Sequence, residues 1–177
     1  TAVISLESGE IDLLLDVSTT DRQKIVDNSS LELYDRASHL YNYLGFNTDM
    51  VPFSDARVRE AIATVINRES IAIVATDGVS QPAKNHLTDS LFGFSDKVEW
   101  VDSKDVEKAK QLLSDAGYAN GFSCNVIVRD VAGQRAAQVL QEDLSKIGIT
   151  LNIEVLERAA HLDRGRKGDF DLTLTGW

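Results

Sequence analysis

Apolar positions along the chain follow two different spacings. Val58, Ala61, Ile62, Val65 and Ile66 recur every three or four residues, which predicts a helix opened by Ser54 or Asp55 as its cap. Val106, Ala109, Leu112 and Leu113 repeat that pattern and predict a helix capped by Ser103 and stopped at Gly117. Further helices are predicted at the very start, ended by Gly9, and in "DRQKIVDN", capped from Ser18, Thr19 or Thr20. The others are "ESIAIVAT", stopped near Gly78, "QRAAQVLQEDLSKIG", and a short one near "AAHLDRGRKG". Strand-like runs are "IDLLLDV", "LELYD", "HLYNYLGFN", "SCNVIVR", "ITLNIEVL" and "FDLTLTGW".

In "HLYNYLGFN", Leu40, Asn42, Leu44 and Phe46 share one face and Tyr41, Tyr43, Gly45 and Asn47 the other. Both faces are mostly apolar or aromatic, so this strand is expected inside a sheet. Residues 79–104 read as a long irregular segment that wraps a surface or lines a site. The second half alternates strand, helix, strand, helix, strand, which predicts an α/β fold with helices on the sheet faces.

Charge narrows the partners. Eighteen basic residues stand against twenty-eight acidic ones, a net charge of −10 over 177 residues. Nucleic acid is thereby disfavoured as a partner, since phosphate binding needs a basic face, and so is an anionic membrane surface. Cys124 is the single cysteine, so no internal disulfide forms, and its strand context predicts a buried, inert thiol. No apolar run reaches the ~18 residues of a membrane span. Thr1 and Trp177 both read as cut ends, so a piece of a longer protein is expected.

Catalytic patterns are absent from the reading. His39, His86 and His161 have no companions at metal-ligand spacing, so each is expected at the surface or in a cap, and no metal or cofactor is predicted. No nucleophile elbow, zinc-protease, paired-cysteine or phosphate-loop motif occurs. An α/β enzyme is therefore disfavoured. Binding chemistry is easier to place. In "VRDVAGQRAAQ" a strand ends at Arg129 and a helix is expected near Gln134, where backbone N–H groups could receive an anion and Arg129 a carboxylate. The alternative is a plain strand-to-helix turn. Trp177, after Gly176, either walls a pocket or packs at the core edge. Tyr41 and Tyr43 have the same two readings, and Asn47 either caps its loop or lines a cleft.

These residues carry a resemblance. Phe46–Asn47, then Asp55, Arg57, Val58, Arg59 and Ala61, then Ile66–Asn67–Arg68 form one block. Ala109, Lys110, Leu112, Leu113, Ala116, Gly117, Tyr118, Gly121 and Phe122 form a second. Leu144, Ile147, Gly148 and Ile149 form a third, and Phe170, Asp171, Gly176 and Trp177 a fourth. In this order they resemble the family 5 extracellular solute-binding proteins, the dipeptide, oligopeptide and nickel receptors of ATP-driven importers.

The resemblance implies one lobe of a type II periplasmic-binding-protein-like fold, a mixed sheet flanked by helices. Residues 1–177 would be most of the second lobe of a two-lobed receptor that closes on its ligand. It implies capture rather than catalysis, with a peptide or another small solute such as a nickel chelate as ligand. ABC transporter permease subunits would be partners, and the location periplasmic or extracellular, with a lipid anchor where the full-length protein is a lipoprotein. The ligand-binding residues it implies are Trp177 and Arg129, with Asn47 and Tyr43 beside them. Arg158 stands where many members have an aromatic residue, which would favour an anionic ligand. Asp55 would cap its helix, and Arg57 and Arg59 would tie the loop to the strand end. The alternative is a ligand-sensing domain of the same fold in a cytoplasmic transcription regulator.

Overall fold

The computed structural model describes residues 2–15, 17–36, 38–97 and 103–177. The parts of predicted segments that fall on Thr1, Asp16, Ala37 and 98–102 lie outside the described residues. Two compact units are present, one ending at Ser38 and the other covering His39–Trp177.

The first unit holds α1 (Ala2–Glu7) and α2 (Thr19–Asp27). Ser18 caps α2 by accepting from the Asp21 N–H at 3.2 Å, and Arg22 pairs with Asp35. Among the described residues of this unit, Val3 and Ile25 are the buried hydrophobics. The strands expected over "IDLLLDV" and "LELYD" are not formed among the described residues. Leu13 and Leu15 stay 72% and 73% exposed. An apolar run becomes a strand only when a partner supplies its hydrogen bonds, and among the described residues of this unit no strand is formed to do so.

The second unit is built on β1 (Asn42–Phe46), α3 (Ala56–Val65), α4 (Arg68–Thr76), α5 (Val106–Asp115), β2 (Phe122–Val128), α6 (Val131–Ser145), β3 (Ile149–Val155), α7 (Arg158–Lys167) and β4 (Leu172–Gly176). The sheet order is β1-β4-β2-β3. β2 runs parallel to β3 and β4, while β1 pairs antiparallel to β4, so the sheet is mixed as expected. β1 lies at an edge of this sheet, not inside it. Its apolar face, Leu44 and Phe46, packs on the core, and its aromatic face stays partly open.

Alternation along the strands sorts the two faces. Val126, Val128, Leu151 and Leu172 meet Val58, Ala61, Ile62, Ala109, Leu113, Leu140 and Leu144 in one core around Phe53. Ile127 and Thr173, buried on the opposite face, lie beneath α7. The helix turns only His161 inward, and its Nε2 lies 3.1 Å from Thr173 Oγ1. This contradicts the expectation that His161 sits at the surface or in a cap. The apolar period is too weak in "RAAHLDRGRKG" to mark which residue faces the sheet.

Caps refine the predicted boundaries. Asp55 caps α3 as expected, accepting from Arg57 N–H at 2.8 Å. Asp105, not Ser103, caps α5, and α6 starts at Val131 under Asp130, three residues before Gln134. Aspartate is among the preferred cap residues and accepts the free N–H groups of a first turn. Arg57 and Arg59 do not tie the loop to the end of β1. Arg59 donates to the Phe53 and Ser54 carbonyls, and Arg57 to the Asp115 carbonyl at the end of α5, at 2.6 Å. A helix C-terminus offers unpaired carbonyls to a cation, which explains the preference of Arg57.

Gly121 sets the register of the parallel pair. It has φ +71°, and a Cβ there would lie 1.8 Å from the Gly148 carbonyl oxygen. The two backbones therefore touch just before Phe122 and Ile149 pair. Cys124 is buried, and burial pushes its thiol up to about 12, so it is held as an inert apolar group.

Candidate binding site at the carboxyl edge of the sheet

Three parallel strands end on the same edge. Arg129 follows β2, Arg158 opens α7 three residues beyond Val155 at the end of β3, and Trp177 follows β4. The antiparallel β1 brings its start to the same edge, with Tyr41 before it and Tyr43 within it. After β2 the chain moves to β3 and then crosses back past β2 to β4. In open α/β sheets the crevice beyond such carboxyl ends is where ligands bind.

The aromatic side of this edge is continuous. Tyr41 and Trp177 exchange backbone hydrogen bonds, each N–H donating to the other's carbonyl at 2.9 Å. The rings of Tyr41 and Tyr43 lie 5.7 Å apart and tilted by 39°. Trp177 is 79% exposed and Tyr43 40% exposed, so neither is core. An exposed Trp and Tyr on one edge form an apolar wall with polar tips.

The cationic side is made by Arg129 and Arg158. The Arg129 Nε lies 3.6 Å from an oxygen of Asp130, whose other oxygen accepts from Gly133 N–H at 2.7 Å. The start of α6, where the sequence allows either an anion site or a plain turn, has its Gly133 N–H served by its own Asp130. Arg158 is exposed, and among the described residues no carboxylate pairs with it. Glu157 precedes α7 without a side-chain capping bond.

His161 and Thr173, not anticipated as site neighbours, lie on the α7 face of the sheet, which Arg129 also joins by alternation. The His161 Nδ1 is buried without a hydrogen-bond partner. Burial, aided by the nearby Arg129 cation, lowers the His161 pKa below the ordinary histidine value of 6.5. No period or motif marked this pair. The available signal was a single His in an otherwise charged and alanine-rich helix.

Asn47 stands apart from the other four. It lies past the far end of β1, about 16 Å from Asn42 at ~3.3 Å per residue. Its carboxamide donates to the Gly168 and Phe170 carbonyls, both at 2.9 Å, and its N–H donates to Asp171 at 3.0 Å. Its Oδ1 also accepts from the Asp49 N–H at 3.3 Å, so the side chain ties its own loop to the segment before β4. The open surface depressions near Glu107, Lys110, Asn120 and Gly148 also lie at that far edge. Among the described residues no group of three His, Cys, Asp or Glu side chains is placed to hold a metal ion.

The geometry can be set beside known proteins. The family model described as "Bacterial extracellular solute-binding proteins, family 5 Middle" matches residues 1–177. The chain is 29% identical to Heme-binding protein A of Haemophilus influenzae, over 100% of this chain and 33% of that protein. It is 27% identical to the Dipeptide-binding protein of Escherichia coli, over 97% of this chain and 33% of that protein. Among solved structures, the ABC transporter-associated periplasmic binding protein DppA from Helicobacter pylori, in complex with peptide STSA, superposes with a TM-score of 0.89. Identity there is 29%, covering 99% of this chain and 34% of the other. The chain thus spans about a third of the length of the curated relatives it matches. A sensor domain of a transcription regulator finds no support among these relatives. With the fold and the full-length match together, the chain belongs to the family 5 bacterial extracellular solute-binding proteins.

Proposed function

We propose that this chain is the ligand-binding second lobe of an extracytoplasmic solute-binding protein that delivers peptides, or a related small solute, to an ABC importer. The observation that carries this reading is the convergence of Trp177, Tyr43, Arg129 and Arg158 on the carboxyl edge, in a chain matched along its whole length by the family. The aromatic wall holds the body of the solute, and Arg129 pairs with an anionic end. Arg158 adds a second cation, which favours solutes with more than one carboxylate. Asn47 acts as scaffold, fixing the loop between α7 and β4.

Binding takes place by closure of the first lobe over this edge, which buries the solute and strengthens its ion pairs. The protein captures and does not transform. Permease subunits of the importer are its partners, and it works in the periplasm or outside the cell, lipid-anchored where the full-length protein carries a lipid attachment site.

Calorimetric titration of the full-length protein with a panel of di- and tripeptides tests the reading. Micromolar or tighter binding by the full-length protein is expected, with little or none by residues 1–177 alone. Heat with haem or a nickel–histidine chelate, and none with peptides, would keep the capture role and replace the ligand class. No binding of any of these solutes would overturn the proposal.

A further inference from the structure

α7 is held to the sheet by few contacts. His161 is its one buried side chain, at 3% exposure, while Ala159, Ala160 and Leu162 face outward. The first turn has no side-chain cap. The second half of the helix is tied more firmly. Arg164 bridges to Glu154 on β3 at 2.7 Å, and the Asn47 carboxamide holds the Gly168 carbonyl. The attachment of the N-terminal half thus depends on one imidazole. That imidazole spends Nε2 on Thr173 and leaves Nδ1 buried and unpartnered.

We infer that His161 is an acid-sensitive latch: neutral, it seats the first turns of α7 on the sheet; protonated, it lets them go and withdraws Arg158 from the carboxyl edge. The physical ground is the asymmetry between the two states. A neutral imidazole sits buried against the sheet with its Nε2 at the Thr173 hydroxyl. A second proton places a charge at a buried nitrogen that has no partner, which is costly unless the ring moves to water. The charged groups around it divide. Arg129, from the end of β2, repels the imidazolium, and Asp130, at the start of α6, attracts it. β4 presents the neutral Thr173 hydroxyl and the Leu174 backbone, and β2 the Ile127 backbone; both backbone groups favour the charged ring. Along α7 itself, Glu157 lies one turn before His161, with Arg158 and Arg164 three residues to either side. Burial and the Arg129 cation outweigh the Ile127 and Leu174 backbones and Asp130, so the surroundings do not rescue the charged form.

The sign follows from the direction of the shift. His161 titrates lower in the folded protein than its ordinary value of 6.5. Its contribution to seating is complete above that value and is lost as pH falls below it. Release starts in the first turns, because Arg164 and Asn47 keep the far end docked.

Hydrogen–deuterium exchange of the full-length protein, free of solute, tests the latch without reference to its ligand. Exchange over 158–167, corrected for the chemical pH dependence, should rise at least about tenfold between about pH 7.5 and about pH 5, while α5 and α6 stay unchanged. His161→Phe, which keeps a buried ring without a titrating nitrogen, should abolish that rise. A flat wild-type profile, or the same rise in His161→Phe, would overturn the proposal. Should that variant fail to fold, histidine carbon NMR of the wild type decides. The His161 titration must share the midpoint of α7 exchange, and a midpoint elsewhere overturns the latch.

Discussion

Tyr41 and Trp177 are a hydrogen-bonded pair across β1 and β4: each backbone N–H donates to the other's carbonyl at 2.9 Å. The pairing uses main chain only, so the indole is free for another task. Trp177→Ala should therefore leave the strand pairing intact and shift unfolding by no more than about 0.5 kcal/mol. Solute affinity should fall about tenfold, or about 1.4 kcal/mol. Calorimetry and thermal unfolding of the full-length variant separate the two effects.

Asn47 makes the opposite prediction. Removing its carboxamide strands the Gly168 and Phe170 carbonyls. Asn47→Ala should cost about 1–3 kcal/mol of stability and leave solute affinity of the folded fraction within about threefold. Denaturant unfolding with a parallel binding titration checks this. A stable variant that no longer binds would return Asn47 to the site.

Two glycines should respond with opposite signs. At Gly121 a Cβ would collide with the Gly148 carbonyl, and φ is +71°. Gly121→Ala should destabilise by more than about 2 kcal/mol. Gly165 lies within α7 with nothing within 4 Å of an added Cβ. Gly165→Ala should stabilise α7 by about 0.5–1 kcal/mol, read as slower amide exchange of that helix.

Asp55 gives a pH prediction. Hydrogen bonds from the Arg57 side chain and backbone lower its pKa from 3.8 to about 2. A lowered folded pKa means that its stabilisation is present above 3.8 and is lost as pH falls through about 2. The difference in unfolding midpoint between wild type and Asp55→Asn should hold steady from neutrality to about pH 4 and narrow below it. A difference that stays constant into strong acid would show that the cap works without its charge.

Helices such as α3 are legible because their apolar period is strong. Val58, Ala61, Ile62 and Val65 all proved buried, and Asp55 proved the cap. The alternating second half likewise gave the parallel strands and hence the edge on which Arg129, Arg158 and Trp177 meet. What was not legible depended on partners distant in the chain. "IDLLLDV" reads as a strand by composition, yet hydrogen bonding needs a neighbour that pattern cannot supply. β1 was placed inside the sheet because its tyrosines counted as apolar, although their ring tips favour an open face. The burial of His161 is not legible, because a single inward residue leaves no period. The contacts of the Asn47 amide lie with Gly168 and Phe170, more than a hundred residues away, which no local pattern reveals.

The central claim is that the carboxyl edge faces the solute. Hydroxyl-radical footprinting of the full-length protein, with and without a saturating peptide from the panel, tests it at side-chain level. Tyr43 and Trp177, both exposed here, should lose reactivity when the solute binds. Unchanged reactivity at both residues, in a protein that demonstrably holds the peptide, would contradict the account.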